Sequence, residues 1–269
     1  MSRKLTLQLK RPLGIPMHSR EGHFYQSPTT LKIYPSVTGR LAHLANHSQR
    51  NWRKNRTLDY IRDNFHQMTK ENLAEHLKLA WELPESLFKQ AGNTGTETHD
   101  WREIYFKRLM RGNTNSIVET YKKQPRKSSE VLSTLIALER FVADTGYKPL
   151  LCEIPMVSDR LEVGGSLDDA GLLNGELILL DVKTSNQISA SYYFQVGIYA
   201  EMFKETYGRK PKRLYILKLS KTDGTYLLHE IQDAAKTIKT SIKFLQVANE
   251  LDKINELIKP KRQTFVLNV

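Results

Sequence analysis

Asp181-Val182-Lys183 is the one place in this chain where an acidic residue stands two positions before a lysine; none of the other Asp and Glu residues, of 29, has Lys at that offset. It closes an apolar run, Leu177-Ile178-Leu179-Leu180, that reads as a buried strand. A second carboxylate, Asp168, lies upstream in Gly165-Ser166-Leu167-Asp168, near the end of another strand-like run. Two carboxylates and a lysine at adjacent strand ends can hold a divalent cation and position a water against a phosphodiester. Mg²⁺ and Mn²⁺ suit such oxygen ligands, and the carbonyl of Val182 would add another. Lys183 shares a strand face with Asp181, because side chains two apart lie on one side. Its ammonium would orient the water or stabilise developing charge. A surface ion pair at a strand end produces the same tripeptide.

Other residues could join this set. His99, in Gly95-Thr96-Glu97-Thr98-His99, stands where a helix is expected to begin, and imidazole can complete a carboxylate shell around Mn²⁺ or Mg²⁺. Glu153, in the first strand of the expected sheet, could face the same ion or be an edge charge. Gln195 and Tyr199 are one helical turn apart and face together. They could bind a phosphate, brace the metal ligands or simply pack the helix.

The charge is uneven. Of the formal +12, residues 1–127 carry all, with 23 Lys and Arg against 11 Asp and Glu, while residues 128–269 balance 18 against 18. A basic segment joined to a neutral body implies a polyanion partner, nucleic acid above all. Arg50-Asn51-Trp52-Arg53-Lys54-Asn55-Arg56 interleaves four basic groups with an indole, a mix that can bind phosphates and stack on a base. It could equally be a solvated basic turn. No apolar run approaches the ~18–20 residues of a membrane span. The single cysteine, Cys152, permits no internal disulfide and no all-cysteine zinc or iron–sulfur site within one chain. It fits a reducing compartment. The first 20 residues are basic without an acid and could be a transit peptide; the alternation of Leu5, Leu7 and Leu9 favours an ordered or DNA-contacting arm.

The elements that must position these groups follow from pattern. Residues 22–25 and 31–34 read as short strands around a Ser27–Thr30 turn, with a short helix from about Val37. Residues 57–91 read as helical, with Pro84 in the first turn of a helix. Gly92-Asn93-Thr94-Gly95-Thr96 is expected to break the chain before helix resumes over 96–111. Ser129 to Thr145 is a helix, capped by Ser129 and ended by Gly146. Strands follow at 150–157, 161–167 and 177–182, the last two joined by an Asn174-Gly175 turn. A helix over 192–207, strands at 214–219 and 226–230 and a last helix over 232–258 complete the order. This predicts an α/β mixed sheet flanked by helices, over 128–269, behind a basic, mainly helical DNA-binding lobe over 1–127.

Gly165-x-x-Asp168, Asp181-x-Lys183-Thr184 and Gln195-x-x-x-Tyr199 together resemble the RecB-like branch of the PD-(D/E)XK nucleases, in order and at fitting spacing. Gly95-Thr96-x-x-His99 is similar to that branch's Gly-Thr-x-x-His, whose His is a metal ligand. Pro35-Ser36-Val37-Thr38 is similar to a stretch in mitochondrial genome maintenance exonucleases and phage relatives, which adds Ser36 and Thr38 to the DNA-contacting candidates. The likeness covers about residues 34–230. Asp169 departs from the pattern and would be the first carboxylate if the strand register were shifted by one.

The resemblance implies a restriction-endonuclease-like core, Mg²⁺ or Mn²⁺, and DNA cleavage by Asp168, Asp181 and Lys183, with His99, Asp168, Asp181 and Val182 around the metal. The expected activity is a DNA exonuclease acting at single-stranded or duplex ends. A flap or junction endonuclease and a non-catalytic DNA-binding protein on the same fold are the alternatives. A recombination or replication protein would be a further partner. The expected setting is the cytoplasm of a bacterial or phage-infected cell, with the mitochondrion as the alternative.

Overall fold

The computed structural model describes residues 7–19, 22–44 and 47–258, with backbone alone at 47–49. The basic N-terminal residues 1–6, Arg20 and the tail from Lys259 lie outside them. Among the described residues the predicted mixed α/β architecture is present. A five-stranded sheet runs β4 (Lys148–Ser158), β5 (Val163–Leu173), β6 (Glu176–Lys183), β7 (Arg213–Leu219) and β8 (Tyr226–Glu230), neighbours in that order. Only β6 and β7 pair in parallel; the other neighbours are antiparallel. The crossover between them is helix α6 (Ala190–Tyr207), as a parallel pair requires.

A smaller sheet, β1 (Ile15–Ser19), β2 (Gly22–Gln26) and β3 (Ile33–Pro35), precedes α1 (Val37–Leu41). Its tyrosines Tyr25 and Tyr34 are buried against Val157 of β4. Then come α2 (His47–Asn64), α3 (Leu73–Met110), α4 (Ile117–Tyr121), α5 (Ser129–Thr145) and, last, α7 (Ala234–Ile258). No helix among the described residues is long and apolar enough to cross a membrane.

Alternation along β6 divides the core into two layers. Ile178, Leu180 and Val182 pack with Leu135, Leu138 and Phe141 of α5. Leu179 packs on the other side with Ile198, Met202 and Phe203 of α6 and Leu245 of α7. Asn174 and Gly175 both have positive φ, 51° and 81°, the backbone of the expected two-residue hairpin turn.

The expected break at residues 92–96 does not occur. α3 is continuous over 38 residues and contains Pro84 in its interior rather than its first turn. Glycine in a helix costs only about 1 kcal/mol relative to alanine, so packing can override it. Here Thr94 donates to Glu130 of α5 at 2.7 Å and to the carbonyl of Gln90 at 3.2 Å. One turn on, the Thr98 and Thr134 hydroxyls meet at 2.9 Å. These contacts clamp the weak segment onto α5.

Two smaller corrections concern ends. Ser128 caps α5, not Ser129: its hydroxyl accepts from Val131 N–H at 3.4 Å. β5 does not stop at Leu167 but continues to Leu173, so Asp168 is a mid-strand residue. Gly171 makes this continuation feasible, because a Cβ there would sit 2.5 Å from the Tyr147 hydroxyl.

Candidate active site

β5 and β6 pair in register only as far as Asp169 opposite Leu180. Beyond that point β6 keeps its parallel partner β7 through Lys183. The freed N–H of Val182 donates instead to Asp168 Oδ2 at 2.7 Å. A side chain thus takes the place of the next ladder bond where the two strands part, and the cleft opens at this fork. On the other flank, the register that pairs Cys152 with Asp169 and Ile154 with Leu167 sets Glu153 across from Asp168. Glu153 has φ 50°, the left-handed region that non-glycine residues avoid. Such strain persists where surroundings over-determine it and clusters at functional sites.

His99 reaches the same fork from mid-α3, not from a helix start as expected. Its Nδ1 is 3.7 Å from Glu153 Oε1 and 3.7 Å from Asp168 Oδ1. One ligand atom each from His99, Glu153 and Asp168 all lie within 4.8 Å of one another. An imidazole and two carboxylates at that spacing fit a hard or borderline divalent cation such as Mg²⁺ or Mn²⁺.

Asp181 and Lys183 stand beside this cluster. Asp181 is only 1% exposed. The Lys183 ammonium lies 2.8 Å from its Oδ1 and 2.7 Å from its Oδ2, and 5.1 Å from the centre of the Tyr192 ring. Burial pushes Asp181 up to about 6, against the pull of Lys183 and with the push of Asp168. Asp168 is held below the ordinary carboxylate range: burial raises it, but His99, Arg102, Lys183 and the Val182 N–H outweigh that. Lys183 is raised although burial opposes it, because Asp181 and Asp168 favour the charged form. Without a bound ion the two carboxylates thus favour the ammonium form of Lys183.

Arg102 carries no motif that marks it in the sequence. It is fully buried one turn beyond His99, its guanidinium 2.6 Å from Asp169 Oδ2, in contact with Glu153 and 3.7 Å from Asp168. Three carboxylates hold its proton above the ordinary range in spite of burial. Asp169, the departure from the family pattern, faces this arginine and is 0% exposed, so it belongs to the support of the site rather than its mouth. The one signal for the pair is a second Asp after Asp168 together with an Arg three residues after His99.

Gln195 and Tyr199 do not line the cleft. Both are buried. The Tyr199 ring lies close against Gly165: a Cβ there would lie 2.7 Å from its Cε1. That close approach explains the glycine ahead of Asp168 and makes the pair a brace for β5.

The cleft has a volume of ≈ 640 Å³ and runs from Phe88, Gly92 and Gly95 of α3 past His99, Glu153 and Asp168 to Val182, Lys183, Tyr192 and Lys221. The basic group, expected either to bind phosphates and a base or to be a solvated turn, is part of helix α2. Arg50, Trp52, Arg53, Lys54 and Arg56 are exposed on it. Arg53 pairs with Glu85 at 2.9 Å and lies 5.2 Å over the Phe88 ring. Arg56 pairs with Asp59 at 2.7 Å. Ser36 caps α1, accepting from Gly39 N–H at 3.0 Å and meeting the Thr38 hydroxyl at 3.1 Å. Ser36 is buried and Thr38 exposed. Tyr34 is buried and donates to Asp159 at 3.0 Å.

No family model and no curated protein matches the chain. Among solved structures it is similar to a candidate exonuclease from Eubacterium rectale, at 13% identity and TM-score 0.41, over 63% of this chain and 70% of that one. It is also similar to an alkaline exonuclease from Laribacter hongkongensis, at 12% identity and TM-score 0.28, over 54% of this chain and 84% of that one.

Proposed function

We propose that this chain is a divalent-metal-dependent DNA exonuclease hydrolysing phosphodiester bonds from strand ends. The observation that carries the reading is the convergence of His99, Glu153 and Asp168 on one cleft, within 4.8 Å of one another, with the Lys183 ammonium at the same mouth. His99, Glu153 and Asp168 would hold the ion, with Asp181 and the Val182 carbonyl as the further ligands implied by the sequence. A bound Mg²⁺ or Mn²⁺ neutralises phosphoryl oxygens and makes a bound water nucleophilic near neutral pH.

The chain's own residues do the rest. Lys183, kept protonated by Asp181 and Asp168, donates to the attacking water or to the oxygen on which charge develops. Arg102 fixes Glu153 from behind and keeps like-charged carboxylates together in the absence of an ion. Gln195 and Tyr199 brace the strand beneath Asp168. The basic N-terminal segment over 1–127, with Arg50, Trp52, Arg53, Lys54 and Arg56 on α2, attracts the phosphate backbone.

End-labelled linear and closed circular single-stranded DNA, incubated with and without Mn²⁺, test this. Metal-dependent loss of the linear strand with the circle spared is expected. Rapid cutting of the circle would replace the exonuclease with an endonuclease, and no cleavage with any divalent ion would leave a DNA-binding protein.

A further inference from the structure

Beyond the metal cluster, one face of α3 carries a second feature. His99 and Phe88 stand 11 positions apart, roughly three turns and a rise of about 16 Å, and so project from the same side of the helix. Trp81 lies two further turns along the same side and is 81% exposed. Between Phe88 and His99 that side presents Gly92 and Gly95, and a Cβ on Gly92 would meet nothing within 4 Å. The α3 side of the cleft is therefore low at Gly92 and Gly95, with candidate ligand side chains at one end and an aromatic ring at the other.

Phe88 is a large apolar side chain 45% exposed at the mouth of a polar cleft. Burial in a core does not account for it. Arg53 of α2 lies over its ring at 5.2 Å and is itself held at 2.9 Å by Glu85 of α3, so the guanidinium takes one face of the ring and a base would take the other. A ring with an adjacent fixed cation offers stacking to a base and charge to its phosphate. A paired base in a duplex presents only its edges in the grooves, so a platform of this kind takes unpaired bases.

We infer that Phe88, flanked by Arg53, is a base-stacking subsite that seats an unpaired base of the substrate strand, and that the strand then crosses the low Gly92–Gly95 stretch to the metal cluster. This rests on reading the cleft as a DNA-cleaving site, and it adds to that reading a residue that distinguishes single from double strands.

The test compares an oligothymidylate with an abasic strand of equal length, each labelled, by fluorescence anisotropy in chelator, for the wild-type chain, Phe88→Ala and Phe88→Trp. The wild type should bind the base-bearing strand more tightly. Phe88→Ala should lose roughly 5- to 150-fold in affinity for it, the equivalent of about 1–3 kcal/mol of stacking, and little for the abasic strand. Phe88→Trp should restore the preference. A merely structural Phe88 would lower both affinities alike, and that result, or an unchanged preference in Phe88→Ala, overturns the subsite. Hydrolysis of bis(p-nitrophenyl) phosphate by the wild type with Mn²⁺ is measured separately. Its absence would count against the metal-site reading, while the binding comparison would still decide the subsite.

Discussion

The Asp168 carboxylate accepts the Val182 N–H at 2.7 Å, so a residue of the candidate metal cluster also closes the fork between two core strands. An amide in its place can still accept that hydrogen bond but carries no charge. Asp168→Asn should therefore fold and yet bind Mn²⁺ weakly, by more than the roughly 10–100-fold lost when only an outer partner of a ligand is removed. Calorimetric titration with Mn²⁺ and thermal unfolding of the metal-free protein separate the two effects. Unaltered Mn²⁺ affinity would remove Asp168 from the ligand set.

Lys183→Ala should lower kcat by about 10²–10³, the range for losing one donor to developing charge, with DNA affinity nearly kept. Its ammonium is already engaged by Asp181 at 2.7 Å, so it contributes little to ground-state binding. Single-turnover rates beside equilibrium binding give the split. A variant that binds DNA poorly but cleaves at the normal rate when saturated would place Lys183 among binding groups instead.

Arg102 neutralises Asp169 where neither has water. Arg102→Met leaves buried carboxylates without their cation and should cost about 3–5 kcal/mol of stability. Adding Asp169→Leu should recover part of that loss. Urea unfolding of the single and double variants measures both. If the double variant is no more stable than the single, Asp169 is not the partner that matters.

These residues show where sequence pattern is sufficient and where it fails. The helix at 129–145, the Asn174-Gly175 hairpin and the strand leading to Asp181 each carry several local signals that agree: a cap, a period, a turn dipeptide. The Gly92–Thr96 stretch carries only local signals against helix. What reverses them is Glu130 and Thr134 on another helix, contacts that no local pattern displays. Arg102 and Asp169 are invisible for a related reason. A buried ion pair joins residues 67 positions apart, and each member alone resembles a surface charge. His99, Asp168, Asp181 and Lys183 could be singled out in the sequence because three short motifs, each of a few residue types at fixed spacing, fall there in order.

Acid should loosen the attachment of the small sheet. Asp159 takes hydrogen bonds from the hydroxyls of Ser27 at 3.0 Å, Thr30 at 2.6 Å and Tyr34 at 3.0 Å, tying β2 and β3 to the β4–β5 hairpin. Burial raises the carboxyl, but those hydroxyls and Arg11 outweigh it and hold it below its ordinary value. A depressed folded value means the stabilisation is full above the unfolded value of about 3.9 and is lost as pH falls through the folded one. The stability gap between wild type and Asp159→Asn should therefore shrink between about pH 6 and about pH 2.5 in thermal unfolding. A gap constant with pH would mean the carboxylate charge contributes nothing.

Neutralising Arg50, Lys54 and Arg56 together should weaken DNA binding and flatten its dependence on salt. Each phosphate left without its cation lowers the slope of log K against log salt by roughly 0.7–0.9. Titrations at several NaCl concentrations give the slope, and an unchanged one would mean that these charges only solubilise the helix.

The unbroken course of α3 has an evolutionary consequence. Phe88 and His99 ride one rod, with no loop between them to absorb a change of length. A single inserted or deleted residue there would swing one end about 100° around the axis relative to the other. Insertions and deletions should therefore be purged from residues 88–99 in any lineage that keeps both features, while the glycines between them could drift to other small residues and the connection between α2 and α3 could lengthen freely.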